Sequence, residues 1–84
     1  MKIDNVITLG NGTNYLLLNE LNYRNGKYFF GVEVDQNKHS LIINYVFIKE
    51  INKNSKVYAK LVSDNNMTKK LYNLLLKDYS EIDF

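Results

Sequence analysis

The sequence predicts an α+β fold in which an antiparallel meander of about five strands, curled or partly barrel-like, is followed by one C-terminal helix. Apolar runs of strand length, separated by polar turn residues, occupy most of the first 62 positions, and such runs indicate strands. Two Asn-Gly pairs separate the apolar runs, and this dipeptide is the strongest short-range hairpin signal. We therefore expect a single domain over 1-84, with strands at about 2-9, 14-23, 27-35, 41-51 and 56-63, a helix at about 66-79 and an acidic tail at 80-84.

The first Asn-Gly pair predicts a hairpin with a bulged turn. A three-residue loop, Gly10-Asn11-Gly12, aligns Ile7 with Tyr15 and keeps the apolar residues together on one face. This loop needs a left-handed residue in its bulge, and Gly12 can adopt that conformation without strain.

The second hairpin carries the aromatic run KYFFGVEV at residues 27-34. A two-residue loop at 25-26 pairs Leu21 with Phe30. Alternation then places four apolar residues on one face, which is typical of a core, and leaves Phe29 as the outward-facing ring. The run does not have the spacing of an RNA-recognition strand, in which alternate aromatics stand on an exposed face. The residues expected in the core are Tyr28, Phe30, Val32 and Val34.

The last hairpin predicts the main candidate binding surface. Residues 41-51 (LIINYVFIKEI) are apolar on both faces, as in a central strand or in a strand whose second face meets a partner. A loop around 52-55 pairs Lys49 with Tyr58 and Phe47 with Lys60. Rings and lysines then share one face, unless the helix covers the rings and the lysines extend to water. The candidate partner-binding residues are Tyr45, Phe47, Lys49, Lys56, Tyr58 and Lys60, with Lys53 at the rim and Phe29 as a further ring.

The chemistry of the chain changes after Val62. Asp64 and the two asparagines that follow it are good N-cap residues, and leucines then recur at helical spacing. Tyr72, Leu76 and Tyr79 widen the apolar stripe beyond that of an ordinary surface helix. Because one short helix cannot cover both faces of five strands, we expect the sheet to curl or one face to bind a partner.

Composition excludes several classes of function. The chain has no cysteine, so disulfides, thiolate zinc sites and cysteine nucleophiles are absent. The single histidine, His39, lies in a polar loop, and there is no Gly-rich phosphate loop, HExxH motif or EF-hand. We expect no enzyme activity, no metal and no cofactor.

The ends and the overall charge bear on location and partners. Asp4 and Asn5 interrupt the N-terminal apolar run, and no stretch approaches about 20 apolar residues, so we expect a cytoplasmic protein that does not bind a membrane. Net charge is only +2, although residues 49-77 contain seven lysines against two acids. Frequent Asn, Lys, Ile and Tyr have A/T-rich codons, which indicates an A/T-rich bacterium or its phage.

The succession VITLGNG, YRNGKYFFGVEVD and YVFIKEINKNSKVYAKLVSDNN, closed by an amphipathic helix, resembles a small bacterial family of unknown function from low-GC Gram-positive bacteria. The resemblance covers most of the chain and implies a strand meander with a C-terminal helix. It implies no catalytic residues. Members of that family are strongly acidic, whereas this chain is mildly basic.

These observations favour a non-catalytic protein-binding module. A phage- or mobile-element-encoded inhibitor of a host defence complex is its concrete form, motivated by size and composition. One alternative is single-stranded nucleic-acid binding through the lysine and tyrosine strip. Another is a homodimer whose interface completes the core.

Overall fold

The computed structural model describes residues 1–35 and 37–78. Of residue 78 it describes the backbone but not the side chain. Five antiparallel strands pair in chain order and curl into a half-barrel, and one helix follows them, which confirms the predicted α+β meander. The acidic tail expected at 80-84 lies outside the described residues. The elements are β1 (Val6–Thr8), β2 (Asn14–Tyr23), β3 (Gly26–Asp35), β4 (Ser40–Lys53), β5 (Lys56–Leu61) and α1 (Asn65–Asp78).

The hairpin between β1 and β2 has the predicted bulged turn. Ile7 pairs with Tyr15, and the Leu9 N–H donates a hydrogen bond of 3.0 Å to the Thr13 carbonyl. Gly12 has a φ of 84°, the left-handed conformation that a side chain would disfavour.

The turn between β2 and β3 lies one residue earlier than predicted, which shifts the strand pairing by two residues: Leu21 pairs with Tyr28 and not with Phe30. Its loop is Arg24-Asn25, with φ values of 46° and 62°, and Tyr23 pairs with Gly26. The glycine is therefore the first residue of β3 and not a turn residue. It is needed for close packing, since a Cβ at Gly26 would lie 2.9 Å from the Tyr28 ring.

A bulge in β2 reverses its alternation. Leu17 pairs with Gly31, while Asn19 pairs with Phe30, so Leu18 is an extra residue between them. One inserted residue sends the side chains before and after it to opposite faces of the sheet. β2 therefore contributes to a hydrophobic core on each face.

The sheet has two such cores. The core on the helix face contains Leu21, Tyr28, Phe47, Leu71 and Leu75. The core on the opposite face contains Tyr15, Leu17, Phe29 and Ile48, packed by Ile7 from β1 and by Ala59 and Leu61 from β5.

The expectation that Phe29 faces outward is wrong. Its side chain is 0% exposed. Because the sheet curls, both outer strands supply side chains to this face: Ile7 comes from β1 and Leu61 from β5. The curl of the sheet buries this face, as the helix buries the other.

The last hairpin is also shifted by two residues from its predicted register. Asn54 and Ser55 form the two-residue loop, with φ values of 52° and 62°. Lys49 therefore pairs with Lys60, and Tyr58 pairs with Ile51. A shift of two residues preserves the faces, so the predicted sharing of one face by Lys49, Tyr58 and Lys60 is confirmed.

The second core predicts a contrast between two isoleucines of β4. Ile48 is 0% exposed and Ile43 is 90% exposed. Ile48→Ala should reduce the free energy of unfolding by about 2–5 kcal/mol, whereas Ile43→Ala should cost less than about 1 kcal/mol, the span of strand propensity. Urea unfolding of both variants measures this, and equal costs would contradict the two-core arrangement.

Candidate functional site

The structure divides the predicted surface into buried rings and exposed residues. Phe47, like Phe29, is buried; it is 5% exposed and lies beneath α1 in the helix-face core. The sequence-based placement of Phe29 on the surface was therefore wrong, whereas coverage of Phe47 by the helix is one of the two alternatives that the sequence left open. The candidate residues that stay exposed are Tyr45, Lys49, Lys56, Tyr58 and Lys60, with Lys53.

The exposed residues belong to two parts of the helix face. Tyr45 lies in the N-terminal half of β4, whereas the lysines and Tyr58 lie on the β4–β5 hairpin beyond Ile48. Phe47 and the helix that covers it lie between them.

The first part exists because β5 is much shorter than β4. β5 pairs with β4 only as far as Ile48 and Leu61, with one further hydrogen bond of 2.9 Å from the Val62 N–H to the Phe47 carbonyl. In the described chain, residues 40–46 of β4 therefore have β3 on one side and no strand on the other.

Apolar side chains flank this free edge. Leu41 pairs with Val34 and Tyr45 with Val32, so both lie on the helix face with these valines. Ile43 lies in the irregular stretch between them and is 90% exposed. On α1, Tyr72 is about half exposed and lines a groove with Tyr45. The four residues Leu41, Ile43, Tyr45 and Tyr72 are called the apolar edge surface below. Sequence reasoning assigned Tyr72 and Leu76 to a widened apolar stripe; both are about half exposed, and Tyr72 lies beside Tyr45 of β4.

Tyr45 is held in place at the border of the core. Its ring stacks on Phe30, with 5.4 Å between ring centroids and 7° between planes. Phe30 in turn contacts Phe47 at 5.3 Å. A groove of about 320 Å³ between β4 and α1 is lined by all three rings and by Tyr72. Stacking on Phe30 thus fixes the Tyr45 ring, which exposes one face beside an apolar groove.

The second part is a ladder of lysines on the β4–β5 hairpin. Lys49 pairs with Lys60 and Lys53 with Lys56, and the pair Ile51 and Tyr58 lies between them. All six side chains share the helix face by alternation. Lys49, Lys53, Lys56, Lys60 and Tyr58 are called the lysine ladder below.

No acid in the described part of the chain forms an ion pair with the lysine ladder. Among the described residues, the ion pairs involve Met1 and Lys27, so none of the four ladder lysines has a carboxylate within 4.0 Å. The Lys49 ammonium lies 5.8 Å from the centroid of the Tyr28 ring, which is a weak cation–π contact.

The carboxylate of Glu50 is buried, and its contacts stabilise the fold. Its side chain is 6% exposed, and it accepts a hydrogen bond of 2.8 Å from the Met1 ammonium. Lys27 lies 3.8 Å away and Asn52 3.4 Å away. The hydrogen bond from the ammonium is the main cause of a lowered Glu50 pKa. These contacts keep the carboxylate charged, so it suits an ion pair better than a general acid.

The described residues contain no group of three or more His, Asp or Glu side chains that could hold a metal ion. His39 is exposed, in a loop, with a φ of 51°. In the same part of the chain, no helix has the length and apolar character needed to cross a bilayer.

Comparisons with protein families, with curated proteins and with solved structures found no match to this chain. The resemblance to a small bacterial family of unknown function therefore stays a prediction. The fold class is a curled five-stranded antiparallel sheet with one helix, and any functional argument depends on the two exposed surfaces.

The Glu50 environment predicts a pH-dependent contribution to stability. Because the folded pKa lies below the ordinary value of 4.5, the contribution is complete above about pH 4.5 and is lost as pH falls through the lowered pKa. Glu50→Gln should therefore cost about 2 kcal/mol near pH 6 and progressively less toward pH 3, as measured by urea unfolding.

Glu20→Gln is the matched control, since Glu20 also contacts Lys27, at 3.2 Å, but is exposed. It should change the free energy of unfolding by less than about 0.5 kcal/mol. A cost for Glu50→Gln that does not vary with pH would contradict the assignment.

Proposed function

We propose that this protein is a non-catalytic protein-binding module that engages its partner through the apolar edge surface. The observation that carries the proposal is Ile43, which is 90% exposed beside a free strand edge. Folded proteins rarely leave such an edge both apolar and unpaired, because it pairs readily with other chains. A partner that covers it removes that liability.

The composition of this stretch supports a protein partner. Residues 40–48 contain no charged side chain, and depletion of charge is typical of the centre of a protein–protein interface. Tyr45 adds a rigid ring beside a groove. Buried tyrosines next to pockets are frequent hot spots for binding.

The free edge supports a specific mode of binding. An extended segment of the partner can pair with residues 41–46 of β4, so that backbone hydrogen bonds supply affinity. Side chains of that segment would then meet Ile43 and Tyr45. The register of β4 against β3 shifts within these residues, between Leu41 and Tyr45, which limits the length of regular pairing.

An inhibitor of a host defence complex, encoded by a phage or mobile element, is a finer form of this proposal and stays a prediction. A small module that adds a strand to its partner can inhibit it by occluding a functional surface. Nothing in such a mechanism requires catalysis by the module.

Site-specific photo-crosslinking tests the proposal. A benzoylphenylalanine residue in place of Ile43 should crosslink to a distinct protein in cells that encode this chain. The same residue in place of Val57, which is also exposed but lies in β5, is the matched control and should give no such product. Nuclease treatment before analysis should leave the product unchanged.

Two further variants sharpen this experiment. The Ile43→Lys variant should no longer co-purify with the protein identified by crosslinking, whereas the Val57→Lys variant should still do so. Both residues are exposed, so neither change affects the core. Equal crosslinking from positions 43 and 57 would contradict the proposal. A product of twice the mass of the chain would assign the surface to a homodimer instead.

A further inference from the structure

We infer that the lysine ladder binds the phosphate backbone of single-stranded nucleic acid. The inference does not depend on the apolar edge surface, since the ladder is formed by the β4–β5 hairpin beyond Ile48. In each of two cross-strand pairs of the ladder, one lysine lies directly opposite another lysine.

Such pairs cost stability in the isolated protein. Like charges in directly opposite cross-strand positions repel each other, and no described carboxylate lies within 4.0 Å of the ladder lysines. A bound polyanion relieves the repulsion in both pairs. The pairs Lys49–Lys60 and Lys53–Lys56 are four residues apart along β4, or about 14 Å at 3.4 Å per residue. A flexible strand of several nucleotides can therefore contact both pairs.

A ring lies between the two charged pairs. Tyr58 is 50% exposed and pairs with Ile51, so it occupies the middle step of the ladder. Aromatic rings flanked by cationic groups bind single strands by base stacking together with phosphate contacts. Duplex bases are already stacked on each other, so this arrangement favours a single strand.

The acids near the ladder do not cancel its charge. Asp64 caps α1 by accepting a hydrogen bond of 2.8 Å from the Asn66 N–H. It also lines a groove with Lys49 and Lys60, where its single negative charge offsets at most one of the four ladder charges. Glu50 projects to the opposite face of β4, where it pairs with the Met1 ammonium. The ladder face is therefore cationic.

Fluorescence anisotropy with a labelled 20-nucleotide oligothymidylate tests the inference. Four lysine–phosphate contacts predict that log K falls with log[salt] with a slope of about −2.8, so affinity drops about 50-fold between 50 and 200 mM salt. Lys53→Glu combined with Lys56→Glu should remove two contacts and bring the slope to about −1.4.

Lys69→Glu combined with Lys70→Glu is the matched control. It makes the same change in net charge on the exposed face of α1 and should leave the slope near that of the wild type. Tyr58→Leu should weaken binding about 5- to 150-fold through lost stacking without changing the slope. Ile43→Ala should not affect oligothymidylate binding.

Three outcomes would overturn the inference. Equal losses in the two double-lysine variants would show only a general charge effect. Binding of a 20-base-pair duplex as tightly as the single strand would exclude stacking on Tyr58. Competition by polyglutamate as effective as that by oligothymidylate would assign the ladder to an acidic protein.

Discussion

The structure depends on one constraint: a five-stranded sheet with two apolar faces has a single helix of fourteen residues, Asn65–Asp78, to cover them. α1 buries one face, through Leu71 and Leu75. The other face is covered only because the sheet curls, so that residues of β1 and β5 pack around Phe29 and Ile48. Each fully buried side chain of this size contributes about 1.5–3 kcal/mol, so the curled face is a substantial part of the stability of so small a chain.

The same constraint determines what stays exposed. β5 ends at Leu61, and the residues after it turn away into α1. In the described residues, the N-terminal half of β4 therefore has no strand on its outer edge, and α1 contributes Thr68 and Tyr72 to the groove beside Tyr45. At the other end, the β4–β5 hairpin extends past the helix and presents its lysines. Both candidate surfaces thus consist of residues of the sheet that neither α1 nor the short strand β5 covers.

The sequence predicted the parts of the fold that local chemistry controls. The bulged turn at Gly12 was predicted correctly because glycine adopts its left-handed conformation, at a φ of 84°, without strain. Gly26 misled the prediction of the next turn, since close packing against Tyr28, rather than turn geometry, requires a glycine there. Phe29 was placed wrongly because its burial comes from the curl of the whole sheet, which a pattern along one strand does not encode.

The candidate site was predictable to a similar degree. The lysines were placed on the surface correctly, since alternation in β4 and β5 survives a register shift of two residues. Whether the helix covers Tyr45 was left open by the sequence, and the structure leaves that ring exposed. Residues 41–51 were interpreted as a single strand with two apolar faces. The structure divides it into a central half and a free half, because the length of β5 determines which residues are paired.

Residue-resolved hydrogen exchange of the dilute, monomeric protein tests this division of β4 most directly. The account predicts strong protection of the amides of residues 47–50. In residues 41–45, the amides that are directed away from β3, at least every second one, should exchange roughly 100-fold or more faster than those of residues 47–50. These amides have no hydrogen-bonding strand beside them, so their exchange does not require global unfolding. Uniform protection from 41 to 50 would contradict the account, because the edge proposed for binding would then already be covered.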